Sequence, residues 1–188
     1  MPKIVAQKQD WIELGYQRFS ESGVAGINVD RMSATLKCNK SSFYWHFKSK
    51  KDFIDGLVQY WMETDTQAII DQVNAQPTAK DQFLKLVELS FKKDAHLDFV
   101  FYLKKYAQSR KEIKAIVAGI DVERIVYVRA LLQGMGHSED QAAIKANIFY
   151  RYLIGYHETI RYETQPKNYL SEVIRELKHF IPLLDHET

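Results

Sequence analysis

Apolar residues recur three and four positions apart along almost the whole chain, and that period confines it to helices. The clearest stretch lies near the end, where Leu170, Val173, Ile174, Leu177, Phe180, Ile181 and Leu184 fall on one stripe. Four Pro and eight Gly leave few interruptions, and the alternation of a half-buried strand is nearly absent. No repeat or low-complexity segment breaks the pattern. A chain of 188 residues written this way is an all-α protein of about nine helices. Its length suits one generous domain or two small ones.

Capping residues divide the pattern. Ile4, Ile12, Leu14, Tyr16 and Phe19 begin a first helix ending near Ser22, with Gly23 placed as its left-handed cap. Asn28 is placed to cap a short second helix through Met32 to Leu36, and Asn39 a third from Lys40 to Phe47. Ser49 to Asp52 reads as a capping box that opens a long fourth helix through Phe53, Leu57, Tyr60, Trp61, Ile69 and Val73, closed at Pro77. Thr78 to Lys93 is amphipathic. A helix from His96 to about Val117 is expected to break at Gly119, and Asp121 to Gln133 follows, stopped by Gly134 and Gly136. Ser138 to Gln141 is a second capping box, launching a helix to about Glu163. Pro166 separates it from a last helix, Asn168 to Leu184.

Three short helices in the first 47 residues, with a tight turn between the second and third, match a helix-turn-helix over Asn28 to Phe47. Such a motif needs buried residues to fix the helix angle, and Met32, Leu36, Cys38 and Phe43 are spaced to supply them. Lys40, Ser41, Ser42, Tyr44, Trp45 and His46 form the outward set. The charge agrees: residues 1–53 carry a net +4 and the remainder −2. A basic head on a mildly acidic body suits an end that meets phosphate.

The segment Trp11 to Phe53 resembles the DNA-binding domain of the TetR (tetracycline-repressor-like) family. The matching pieces are Phe19-Ser-Glu-Ser-Gly23, Val29-Asp-Arg-Met32 and Ser42-Phe-Tyr-Trp-His-Phe-Lys-Ser-Lys50. The resemblance implies a helix-turn-helix DNA-binding domain over 1–49 and a helical effector-binding and dimerisation domain over 50–188. It implies a homodimer on a palindromic duplex operator, joined through the last two helices, and a ligand-responsive regulator, most often a repressor. Tyr44, His46 and Lys50 would contact phosphates, Lys40, Ser41, Ser42 and Trp45 base edges, and Phe43 and Phe47 would pack. Asn28 and Asn39 complete the DNA-facing set as caps. Two positions depart from the family pattern. Lys37 stands where Gly usually supplies a positive φ, at a cost of roughly 1 kcal/mol, and could itself face a phosphate. Ser41 stands where a smaller residue is common. A second reading keeps the same shape but docks the head on a protein partner instead of DNA.

The body is rich in aromatic residues. Tyr60, Trp61, Phe83, Phe91, Phe99, Tyr102, Tyr106, Tyr127, Tyr150 and Tyr156 lie on the helices that surround the effector pocket in TetR-like proteins, and also at ordinary core spacing. As a group they favour an apolar or aromatic small-molecule effector over a highly charged one. His96, His137, His157 and His179 lack metal-ligand spacing, so no metal and no cofactor is expected. Cys38, the single cysteine, excludes an intrachain disulfide and fits the turn as a packing residue. No nucleophile motif, phosphate loop or acid/base pair is present, and His157 with Tyr156 and Arg161 is the best enzymatic cluster available. The chain is expected to be non-enzymatic, cytoplasmic and free of membrane spans.

Overall fold

A computed structural model describes residues 6–93 and 98–182. Ile4, His96 and Leu184, which carry expectations above, lie outside the described residues. The helices are α1 (Lys8–Ser22), α2 (Val29–Thr35), α3 (Lys40–His46), α4 (Lys50–Trp61), α5 (Ala68–Asn74), α6 (Ala79–Phe91), α7 (Asp98–Ala107), α8 (Lys111–Gly134), α9 (Glu139–Thr159) and α10 (Tyr169–Leu177). A 3₁₀ turn, Gly23–Gly26, follows α1, and a π-helical turn, Met62–Gln67, joins α4 to α5 without a break. Counting that joined run as one gives nine helices, and no strand occurs among the described residues.

The caps explain most of these boundaries. Asn28 accepts the Arg31 N–H, Thr78 accepts that of Asp81, and Ser138 and Gln141 close a complete capping box. Ser49 accepts the Asp52 N–H, but the Asp52 carboxylate takes the Lys48 N–H at 2.8 Å, so this box closes one residue early. Asn39 makes no side-chain cap. Gly23 has φ 61 and ψ −144, an extended mirror conformation open to glycine instead of the expected left-handed helical one.

The expected break at Gly119 does not occur. The chain turns at Gln108 and Arg110, and α8 then runs unbroken from Lys111 to Gly134. A helical Gly costs only about 1 kcal/mol against Ala, whereas Ile113, Val117, Ile120, Val128, Leu131 and Leu132 are all buried along this helix. Packing therefore outweighs propensity. Two further expected ends move inward, with α9 closing at Thr159 and α10 at Leu177.

The chain divides into two compact units. One takes Met1–Asp65 with Ala95–Ala115, the other Thr66–Asp94 with Ile116–Thr188. In the first, Phe53 of α4 packs edge-on against Phe43 and Phe47, with ring centroids 5.1 and 4.8 Å apart. Trp11 of α1 meets Phe43 at 5.2 Å. Each such pair adds about 0.5–1.5 kcal/mol beyond area burial. Residues 6–49 thus pack as one body with α4 and α7, whose Phe99 ring centroid lies 4.4 Å from that of Tyr16 and 4.9 Å from that of Phe19.

The second unit builds its core on Phe83, Val87, Phe91, Leu132, Ala146 and Phe149. Val173, Leu177 and Ile181 of the last stripe are buried in that same core, and Leu170, Ile174 and Phe180 pack against it. Half of the described stripe is thus core of its own unit, while Leu170, Ile174 and Phe180 stay only partly buried.

Candidate nucleic-acid interface

The turn between α2 and α3 carries the chain's local strain. Lys37 has φ 51, the one positive value at a non-glycine among the described residues. The Cys38 N–H reaches Ser33 O at 3.0 Å and the Lys37 N–H reaches Ala34 O at 3.2 Å, so the reversal is pinned on both sides of the strained residue. Left-handed backbone costs an L-residue roughly 1–2 kcal/mol.

One face of α3 is spent on packing. Phe43 and Phe47 are buried, and so is Ser42, whose hydroxyl accepts the Trp11 indole N–H and donates to Ala6 O. Ser42 is therefore removed from the outward set that the sequence suggested. His46 is half-buried, and its Nε2 donates to Ala6 O at 2.9 Å, holding the start of the chain against the end of α3. Lys50 reaches Val24 O at 3.3 Å from the first turn of α4.

The other face of α3 is open. Lys40 and Ser41 are exposed, Tyr44 is 56% exposed and Trp45 is 75% exposed. The Trp45 indole lies parallel to the His46 ring, 6.2 Å away. Lys37, Asn39 and Lys50 are exposed beside it, while Asn28 is occupied in capping α2. Two neighbours escaped the sequence reading. Asp30 holds the Lys40 ammonium at 2.9 Å and raises its pKa, and Lys48 adds an exposed cation beside α4. The signal for Asp30 was its place one helix earlier, which no linear spacing rule connects to Lys40.

The aromatic candidates of the body divide between the units. Tyr60, Trp61, Phe99, Tyr102 and Tyr106 belong to the first. There Tyr102 covers Gly23, and Tyr106 lines a half-open groove of about 260 Å³ with Lys51, Arg110 and Glu112. Phe83, Phe91, Tyr127, Tyr150 and Tyr156 belong to the second. Phe83 and Phe91 flank Phe149 in its core. The Tyr127 hydroxyl donates to Asn74, that of Tyr150 to Asp121, and that of Tyr156 accepts from Gln165.

In the suggested enzymatic cluster each polar side chain is engaged by another partner. His157 Nε2 donates to Ser90 O at 2.7 Å, and Arg161 pairs with Glu158. His157 Nδ1 is buried without a partner, and burial lowers the ring's pKa below its ordinary value. Among the described residues no group of three His, Cys, Asp or Glu side chains could hold a metal ion, and no helix is long and apolar enough to cross a membrane.

Solved structures share this arrangement over nearly the full chain. A transcriptional regulator of the TetR/AcrR family superposes with a TM-score of 0.69 at 16% identity, covering 92% of this chain and 97% of its own. The fold is that of the TetR/AcrR transcriptional regulators. A transcriptional regulator from Aquifex aeolicus VF5 gives 0.68 at 19% identity, covering 90% and 95%. The ketosteroid transcriptional regulator of Mycobacterium tuberculosis gives 0.66 at 14%, covering 95% of each chain. No family model matches the sequence, and no curated protein does. The TetR/AcrR likeness thus rests on shape, with the helix-turn-helix in the same first unit that the sequence motif marks.

Proposed function

We propose that this chain is a ligand-responsive transcriptional regulator, in its simplest form a cytoplasmic repressor, that binds a palindromic duplex operator as a homodimer. The observation that carries the reading is the two-sided recognition helix. Ser42, Phe43 and Phe47 anchor α3 in the head, while Lys40, Ser41, Tyr44 and Trp45 stand open on its far side. A helix anchored in this way can enter a major groove side chains first. Lys37, Lys48 and Lys50 then supply cations for the phosphates on either side.

The fold-mates are regulators, which supports the same reading. Dimerisation through the last two helices finds its support on α9. Ile144 and Ile148 stand one turn apart on its outer face, 63% and 38% exposed, and Leu170 and Ile174 of α10 are only partly buried. The effector is an apolar or aromatic small molecule, with the aromatic residues of both units as its candidates.

Selection from a library of random duplexes tests the reading. The expected result is enrichment of a two-fold symmetric sequence with half-sites about 34–36 Å apart centre to centre. Enrichment of no sequence, with retention independent of salt, contradicts it.

A further inference from the structure

Asp65 and Thr66 are adjacent in the π turn and are held by different helices. Within the first unit the Tyr16 hydroxyl of α1 donates to the Asp65 carboxylate at 3.2 Å. Within the second, Arg124 of α8 donates to the Thr66 hydroxyl from two nitrogens, at 2.7 and 3.2 Å. The Tyr150 hydroxyl of α9 donates to Asp121 of α8 at 2.6 Å, and the Arg124 charge acts on that same hydroxyl. Burial and the Asp121 bond both raise the Tyr150 pKa, so it stays a neutral donor. One side chain in the turn, Thr66, thus takes both of the Arg124 bonds, and the Tyr150–Asp121 bond lies beside the same guanidinium charge.

A π turn carries one residue more than an α turn and has poorer hydrogen-bond geometry, so it persists where other contacts hold it. Here the run from Lys50 to Asn74 would otherwise be one plain helix. Thr64 and Thr66 lie in it, and β-branched residues add little intrinsic helix preference to oppose the distortion. Arg124 is a charged donor that reaches the turn from α8.

We propose that the Arg124 contact to Thr66 holds Met62–Gln67 in its π form and so sets how strongly the head engages DNA. The claim rests on the DNA-binding reading above. Arg124 acts through the turn and is a positioning residue. A group that competes for its guanidinium loosens the turn, and the turn lies at the end of the helix that Lys50 begins.

The test uses full-length protein and a duplex enriched by the wild type. Thr66→Val keeps the shape and removes the acceptor, and Thr66→Ser restores it. In Thr66→Val, amide exchange across residues 62–67 should rise by about tenfold while that of α2 and α3 stays unchanged. DNA affinity should shift by about fivefold or more, within the usual range of coupling between sites, and Thr66→Ser should behave as wild type. Unchanged exchange in Thr66→Val overturns the latch, and faster exchange with unaltered DNA affinity overturns its link to the head. Failure of the wild type to enrich any duplex defeats the underlying DNA reading, and that arm reports before a variant is made.

Discussion

Lys40 and Asp30 form an ion pair across the helix-turn-helix, with the ammonium 2.9 and 3.1 Å from the two carboxylate oxygens. The first residue of the recognition helix is thus already engaged by a carboxylate of the helix before it. On the proposed DNA-binding reading, DNA displaces that carboxylate to recruit Lys40. Asp30→Ala should therefore tighten DNA binding and steepen the salt dependence by about one counterion, as one more lysine meets phosphate. Binding titrations across salt check this, and weaker binding in Asp30→Ala would show that the pair positions Lys40 instead of withholding it.

The head was legible because its signals are local. Asn28 as a cap and the buried Phe43 follow from spacing and residue type, and the strained Lys37 and buried Phe47 follow from the TetR resemblance. What spacing could not show were contacts made across the fold. Ser42 and His46 looked outward until Ala6 and Trp11 closed over them. Gly119 looked like a stop because propensity is read locally, whereas the buried face of α8 is decided by distant residues. Nor could spacing alone show that Val173, Leu177 and Ile181 of the last stripe would join the core built on Phe83 and Phe149.

Lys37→Gly should stabilise the protein. Relief of roughly 1–2 kcal/mol of left-handed strain outweighs the roughly 0.5–1 kcal/mol of backbone entropy that Gly brings. A net gain of about 0.5–1 kcal/mol is expected in denaturant titration. A loss of stability would mean that the Lys37 side chain makes a contact worth more than the strain.

Two glycines separate packing from propensity. A Cβ at Gly15 would lie 2.2 Å from Phe53 Cζ, so Gly15→Ala should cost about 1–3 kcal/mol by wedging α1 from α4. A Cβ at Gly119 meets nothing within 4 Å, and Gly119→Ala should gain about 0.5–1 kcal/mol in mid-helix. Thermal unfolding of both variants checks the pair. Destabilisation by Gly119→Ala would contradict a continuous, exposed stretch of α8.

His157 gives stability a pH dependence with a defined sign. Burial lowers its folded-state pKa below the ordinary 6.5, so the unfolded chain binds the proton more readily. Its contribution is complete above pH 6.5 and is lost as pH falls from there through the depressed folded value. Unfolding followed between pH 8 and 5 should show a steeper acid loss in wild type than in His157→Gln. Parallel curves would remove His157 from the account.

The central claim is that α3 presents its open face to duplex DNA. Fluorescence anisotropy of the enriched duplex, titrated across salt with wild type and with Tyr44→Ala and Trp45→Ala, tests it most directly. Wild-type affinity should fall steeply with salt, in proportion to the phosphates engaged. Each variant should lose roughly tenfold or more, a loss of about 1.4 kcal/mol, with thermal stability unchanged because both side chains are exposed. Equal affinity and equal salt dependence in all three proteins would contradict the account.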